Sequence, residues 1–177
     1  MLVTTPELYN RKIAGVRNRL PHLEHVIVVG QTPAEGPGVE RWDEVVETAS
    51  DTFTTVTTGP QTMALLHFTS GTTGRPKGVI HVHEAVLAHA MTGYYALDLH
   101  DEDIFWCTAD PGWVTGTSYG IIAPLVNGVT NVVVEAEFDA PSWYAVLQQE
   151  RVSVWYTAPT AIRMMMKLGA EAAQACD

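Results

Sequence analysis

Cysteine is scarce in this sequence, and long apolar runs are absent. The only two cysteines among 177 residues are Cys107 and Cys176. Such a pair provides neither a disulfide framework nor the ligand spacing of a zinc site, which predicts a protein of the reducing cytoplasm. No stretch reaches the roughly 18 consecutive apolar residues of a membrane-spanning helix. Residues 1–7 have neither a basic start nor an apolar core, so they do not predict a signal peptide.

Basic residues are also few. The chain has 10 Lys and Arg against 20 Asp and Glu, so its formal net charge is 10 − 20 = −10. A nucleic-acid backbone or an anionic membrane surface would repel such a chain, and we expect neither as a partner. Hydrophobic residues make up 46% of the sequence, which excludes an intrinsically disordered chain.

Short β-branched runs alternate with helical patterns along the chain. Thr5-Pro6-Glu7 is typical of a helix start, because Thr5 can cap the helix and Pro6 suits its first position. The predicted strands are 25–30, 63–68, 79–83, 104–107, 131–134 and 152–156, and the predicted helices are 6–20, 41–49, 84–97, 116–127, 141–150 and 159–168. This alternation predicts an α/β fold with a mainly parallel sheet flanked by helices.

Two loop-rich stretches interrupt this pattern. Residues 31–40 are rich in Pro and Gly, and residues 50–60 are rich in Thr. We therefore expect a partial N-terminal α/β segment, 1–60, followed by a second α/β part, 61–177.

The segment Thr69–Gly78 combines glycines, hydroxyls and basic side chains within ten residues. Glycine permits positive φ and close backbone approach, while hydroxyl and ammonium groups donate to phosphate oxygens. A Walker A loop is excluded, because Lys77 follows Pro76 and a strand pattern, not a helix, comes next. The alternative is a flexible turn of small residues. The combination favours a loop that joins two strands and contacts phosphate.

This loop resembles the signature phosphate loop of the adenylate-forming superfamily of acyl-CoA synthetases, luciferases and adenylation domains. Two later segments, Trp106–Gly116 and Trp155–Arg163, resemble the AMP-forming acetate–CoA ligases. The resemblance covers nearly the whole chain and is weakest from 30 to 60. It implies that acetate attacks the α-phosphorus of ATP, giving acetyl-AMP and pyrophosphate. The thiol of CoA then takes the acetyl group and AMP is released.

The resemblance also implies roles for particular residues. Lys77 is the expected catalytic residue, because its ammonium can balance charge on the leaving pyrophosphate, with Mg²⁺ sharing that load. Trp113, Val114 and Thr115 are expected to line the acetate pocket, and Thr115 and Ala158 to lie near CoA. The residues expected to contact ATP are Thr69, Ser70, Gly71, Thr72, Thr73, Gly74 and Lys77.

Structural alternatives stay open for several of these residues. Trp113 and Val114 could be ordinary core, and Ala158 could simply pack before Pro159 at a helix start. Arg163 fits a phosphate contact or a solvated helix position equally well.

Three further patterns have a simpler interpretation than a functional one. His81 and His83 share one face of a strand, but no third ligand accompanies them, which disfavours a metal site. The acidic turn 98–103 is interpreted as a solvated loop, and Met164–Met166 as core.

The resemblance implies elements that this sequence lacks: a Tyr-Gly-x-Thr-Glu segment, a ribose-binding Asp, a hinge and a late catalytic Lys. The pattern after Lys167 resembles a helix cut off in the middle. We therefore expect an internal piece of a large N-terminal domain. Its expected partners are acetate, ATP, CoA and the remainder of the same polypeptide, and exposed sheet edges could make the isolated piece dimerise.

Two other functions stay open at this point. The motifs barely separate acetate from propionate or another short-chain acid as the substrate of such a ligase. A stand-alone nucleotide-binding or interaction module could use the same loop without being a ligase.

Overall fold

The computed structural model describes residues 1–31, 35–69 and 74–169. The chain divides into two compact units, Met1–Val56 and Thr57–Asp177. Both units combine helices with parallel strands, so the predicted α/β class is confirmed. Within the described ranges, no helix has the length and apolar character needed to cross a membrane.

The first unit is built on a parallel sheet in the order β1-β2-β3, formed by Leu2–Thr4, Val26–Val28 and Val39–Arg41. All three residues of the central strand β2 are buried. Tyr9, which is 1% exposed, packs with Val26 and Val28 to form the core of this unit. The helical segments are α1 (Pro6–Leu8), a π turn (Tyr9–Ile13), a 3₁₀ helix (Ala14–Arg19) and α2 (Trp42–Thr48).

The helix start at Thr5 is confirmed, since the Leu8 amide donates to Thr5 Oγ1 at 3.4 Å and Pro6 occupies the first helical position. The two outer strands were not predicted from the sequence. β1 and β3 have only three residues each, too few for an alternating pattern to stand out.

The second unit opens with an antiparallel pair, β4 (Met63–Thr69) and β5 (Lys77–Val82). The prediction that the glycine-rich loop joins two strands is therefore confirmed. β5 begins two residues before the predicted strand 79–83, because Lys77 pairs with Thr69 and Gly78 pairs with Phe68.

The rest of the second unit surrounds a parallel sheet in the order β7-β6-β8, formed by Thr130–Val132, Ile104–Cys107 and Val154–Tyr156. Its helical segments are α3 (Ala85–Ala96), α4 (Val114–Thr117), a π turn (Ser118–Ile122), α5 (Ala123–Val126), α6 (Ala140–Gln149) and α7 (Pro159–Met166). Leu99, Phe105 and Val129 form the buried core.

The boundaries differ from the predicted ones by a few residues. The predicted helix 116–127 begins at Val114 and contains the π turn. The predicted strand 152–156 begins only at Val154, because Ser153 instead uses its hydroxyl oxygen to accept the Ile104 amide at 2.9 Å.

The parallel arrangement decides where a site can form. The carboxyl ends of β6, β7 and β8 share one edge of the sheet, so the loops after Cys107, Val132 and Tyr156 meet there. Ligands of parallel α/β sheets bind beyond this edge.

Candidate active site

The predicted phosphate loop connects the two strands of the hairpin. Thr69 ends β4 and Lys77 begins β5, and both residues are exposed. Between them, Gly74 has a φ of +78°, a backbone conformation that glycine adopts at little cost. Ser70, Gly71, Thr72 and Thr73 lie outside the described residues.

The hairpin carries positive charge on an acidic chain. Its residues 63–82 contain Arg75 and Lys77 but no Asp or Glu, whereas the whole chain has a net charge of −10. Both basic side chains belong to exposed residues. The hairpin is therefore more positive than the chain as a whole, which favours contact with a negatively charged group.

A tightly hydrogen-bonded turn follows β6. The Asp110 carboxylate accepts the Gly112 amide at 2.6 Å, and the Asp110 carbonyl accepts the Trp113 amide at 2.9 Å. The Thr117 hydroxyl donates to the Pro111 carbonyl at 2.7 Å, which ties the turn to α4. Gly116 packs directly on this turn, since a Cβ there would overlap the Asp110 carbonyl oxygen.

The predicted acid-binding residues stand at the start of α4. Trp113 is the N-terminal flanking residue of this helix and is 66% exposed, while Val114 is 40% exposed and Thr115 is also exposed. Trp113 is thus not buried among the described residues, and its place in an acid pocket stays a prediction. Because they are exposed, the side chains of Trp113 and Val114 are available to a ligand or to another part of a longer polypeptide.

The loop after β8 carries the other predicted residue. Ala158 is exposed and directly precedes Pro159, the first residue of α7. Thr157, just before it, shares a hydrogen bond of 2.6 Å with Thr108, the first residue after β6.

A cavity of about 640 Å³ lies where these loops meet. Its lining residues come from the end of β6 and the turn after it, the helical run 114–126, β7 with the residues after it, α6 and α7; they include Cys107, Thr108, Asp110, Gly116, Gly120, Asn131, Phe138, Trp143, Thr160 and Ala161. Trp113, Val114, Thr115 and Ala158 do not line this cavity, although Gly116 and Thr160 beside them do.

Aromatic rings form one wall of the cavity. Trp106 is 2% exposed and stacks on Trp155, with ring centroids 6.0 Å apart and planes 18° from parallel. Trp143 meets Trp106 edge-on at 5.1 Å, and Phe138 meets Trp143 at 4.6 Å. Such interlocked rings bury apolar surface and fix each other's orientation, so this wall is rigid.

Cys107 places a thiol on the cavity wall. Burial raises the pKa of this thiol, and a backbone hydrogen bond at Ala109 opposes that effect in part. The group is therefore held as a neutral thiol at neutral pH, and we assign it no nucleophilic role.

A second, much smaller cavity lies between the hairpin and α3. It has a volume of about 30 Å³ and is lined in part by His67, His81, His89 and Ser118. The His67 and His81 rings meet edge-on at 5.5 Å. Burial, together with the charge of His81, lowers the pKa of His89.

The two histidines of the predicted pair take different positions. His81 faces His67, whereas His83 is exposed. Within residues 1–31, 35–69 and 74–169, no group of three or more His, Cys, Asp or Glu side chains is arranged to hold a metal ion.

Two other predicted features take partly different places. Asp98, Asp101 and Glu102 of the acidic turn are exposed, as predicted. Asp103 is half-buried and also braces the turn, because it accepts the His100 amide and the Ser153 hydroxyl, each at 2.8 Å. Of the methionines, Met165 is buried at 3% exposure, while Met164 and Met166 are exposed at 45% and 70%. The core interpretation thus holds for Met165 alone. Arg163 is exposed on α7.

Sequence reasoning missed the residues that hold the two loops. The hydroxyls of Thr108 and Thr157 bond to each other, although the two residues are 49 positions apart in the sequence. The Thr117 hydroxyl donates to the Pro111 carbonyl. An isolated threonine carries no pattern, so only the three-dimensional structure identifies these contacts.

The family of the chain follows from its sequence as a whole. A profile of the AMP-binding enzymes matches residues 1–177. The chain belongs to this family.

Individual relatives agree with this assignment. The chain is 50% identical over all its 177 residues to an acetyl-coenzyme A synthetase of Bacillus subtilis, covering 30% of that protein. It is 41% identical over 158 residues to an acetyl-coenzyme A synthetase of Methanothrix thermoacetophila, covering 84% of this chain and 24% of that one. The chain thus spans less than a third of the length of these two curated relatives.

Solved structures confirm the fold. The crystal structure of an anthranilate CoA ligase in complex with anthranoyl-AMP superimposes on 99% of this chain with a TM-score of 0.88 and 25% identity. That match covers 33% of the anthranilate ligase.

Proposed function

We propose that this chain is part of an ATP-dependent acetate–CoA ligase. The longer protein would convert acetate, ATP and CoA into acetyl-CoA, AMP and pyrophosphate by way of acetyl-AMP. The observation that carries the proposal is the 50% identity, over every residue of the chain, to a protein named acetyl-coenzyme A synthetase.

The hairpin supplies the adenylation half of this mechanism. The Lys77 ammonium would stabilise the negative charge that grows on the leaving pyrophosphate, and the Thr69 hydroxyl and loop amides would donate to phosphate oxygens. Supporting this role, the segment 63–82 has two basic residues and no acidic one. In this proposal Ser70, Gly71, Thr72, Thr73 and Gly74 complete the phosphate contacts.

The end of the parallel sheet supplies the acyl half. Trp113, Val114 and Thr115 would line the acetate pocket, and Thr115 and Ala158 would contact CoA. All four are exposed beyond the carboxyl ends of β6 and β8, where such sheets bind ligands. The second part of the chain, 61–177, would thus hold both sets of residues, and the segment 1–60 none of them.

Mg²⁺ fits this part of the chain poorly. In ATP-dependent enzymes Mg²⁺ is held by one or two carboxylates together with substrate phosphates. Residues 63–82 contain no Asp or Glu, so any carboxylate ligand of the ion must come from outside the hairpin.

We further propose a cytoplasmic location and, for the isolated piece, association through its exposed apolar faces.

The test is product formation by the full-length protein that contains this chain. With acetate, ATP and CoA, we expect acetyl-CoA, AMP and pyrophosphate in equal amounts. A panel of acetate, propionate and butyrate at equal concentration distinguishes the alternative ligase, since a higher kcat/KM for propionate would replace acetate as the substrate. ATP binding without acid-dependent release of pyrophosphate would instead support a nucleotide-binding module.

A further inference from the structure

The two loops of the proposed acyl half are joined where the strands that carry them end. Cys107 and Tyr156 are the last paired residues of β6 and β8. One residue further on, the Thr108 amide donates to the Tyr156 carbonyl at 3.0 Å. The Thr108 and Thr157 hydroxyl oxygens then lie 2.6 Å apart in a half-buried position. The link between the strands therefore extends into the loops.

Each threonine leads directly into one set of proposed ligand-binding residues. Thr108 lines the large cavity and precedes the hydrogen-bonded turn that presents Trp113. Thr157 precedes Ala158 and the first turn of α7, whose residue Thr160 also lines the cavity. The hydroxyl pair is thus the point at which the two loops are fixed to each other.

The chemistry of threonine suits it to this task. Its β-branched side chain is restricted at χ1, so the hydroxyl holds its direction once the backbone is set. A half-buried hydroxyl pair at 2.6 Å is a short hydrogen bond, and the loss of one partner leaves the other unsatisfied away from bulk water. Valine has nearly the same shape as threonine, so it removes the hydrogen bond with little change in packing.

We propose that Thr108 and Thr157 are positioning residues that hold the acid-binding loop and the CoA-binding loop in one fixed arrangement. This inference rests on the proposed function. Its consequence is that the acid site and the CoA site are energetically coupled through one side-chain contact. A change at either threonine should therefore alter the affinity of both sites for their substrates.

The experiment uses Thr108→Val, Thr157→Val and the double variant of the full-length protein. The KM for acetate is measured by ATP–pyrophosphate exchange without CoA, and the KM for CoA by acetyl-CoA formation. Each single variant should raise both KM values about fivefold, as expected for one lost hydrogen bond, with a smaller change in kcat. The double variant should be no worse than the more affected single one, because both changes remove the same contact.

Two further variants separate positioning from a general structural effect. Thr108→Ser and Thr157→Ser keep the hydroxyl and should restore both KM values to within about twofold. Thr130→Val serves as the matched control, because Thr130 is exposed at the opposite end of the same sheet, at the start of β7. It should leave both KM values unchanged.

Several results would overturn the inference. If Thr108→Val altered only the KM for acetate and Thr157→Val only that for CoA, with additive effects, the loops would be independent. Failure of the serine variants to restore the KM values would assign the effect to packing. A complete absence of exchange in the unmutated protein would instead overturn the proposed function, and this inference with it.

Discussion

The hairpin β4–β5 and the parallel sheet β7-β6-β8 carry the two halves of the proposed site, but they hold their residues differently. Phe68, in the hairpin, is 66% exposed, whereas Phe105, in the central strand of the sheet, is fully buried. The charged loop of the hairpin lies between exposed strands, while the loops of the sheet are fixed by hydrogen bonds and follow strands that are held together by stacked tryptophans. The glycine- and hydroxyl-rich loop can therefore be recognised by its composition, whereas the sheet end depends on packing between distant residues.

The largest expected effect is on the free energy of unfolding, and it distinguishes the buried phenylalanine of the sheet from the exposed one of the hairpin. Phe105→Ala deletes a fully buried ring and should lower the free energy of unfolding by about 3–5 kcal/mol. Phe68→Ala is the matched control, and its cost should stay within about 0.5 kcal/mol because its ring is largely in water. Urea denaturation of the two variants checks this; equal losses would mean that the hairpin is as tightly packed as the sheet.

The turn after β6 offers the next largest effect. Gly116→Ala forces a methyl group against the Asp110 carbonyl oxygen and should cost about 1–3 kcal/mol. The control is Gly59→Ala, in the same compact unit, where a Cβ would meet only Thr62 Oγ1, at 3.9 Å. Thermal denaturation should show a lower Tm for the first variant alone. An unchanged Tm in Gly116→Ala would show that the turn can shift to accommodate the methyl group at little cost.

The smallest effect concerns pH, at the cavity where the hairpin meets α3. Burial and the charge of His81 lower the pKa of His89 below its ordinary value of 6.5. The unfolded chain therefore binds a proton on this residue more readily than the folded chain, so stability falls as the pH drops below about 6.5 and levels off below the lowered pKa. His67 and His81 from the hairpin and Tyr119 from the π turn are the other titratable groups around this ring.

His89→Gln should weaken that dependence. Its Tm should fall less than that of the unmutated chain between pH 7.5 and pH 5, whereas His22→Gln, at an exposed position in the first unit, should leave the slope unchanged. Identical slopes in all three proteins would contradict the lowered pKa at His89.

These differences explain how much the sequence could predict. The α/β class and the strand-loop-strand arrangement at Thr69–Gly78 follow from local patterns, because β-branched runs and a cluster of glycines are visible without tertiary structure. The short outer strands β1 and β3 are stabilised by their neighbour β2 instead of by their own composition. Such tertiary contacts leave no periodic signal in three residues.

The site shows the same limit. Lys77 and Trp113 were found through their motifs, and their roles stay predictions. The Thr108–Thr157 contact joins residues 49 positions apart, and the π turn that brings Gly120 against Cys107 has no distinctive composition. Both arise from how strands and helices pack, which one sequence alone does not reveal.

The most direct test of the account is acetate-dependent ATP–pyrophosphate exchange by the full-length protein with Lys77→Ala. We expect exchange to fall by about 100-fold, as for the loss of a group that stabilises charge in a transition state. Lys167→Ala, at an exposed lysine after α7, should exchange at the rate of the unmutated protein. Undiminished exchange in Lys77→Ala would contradict the assignment of the hairpin loop as the phosphate site.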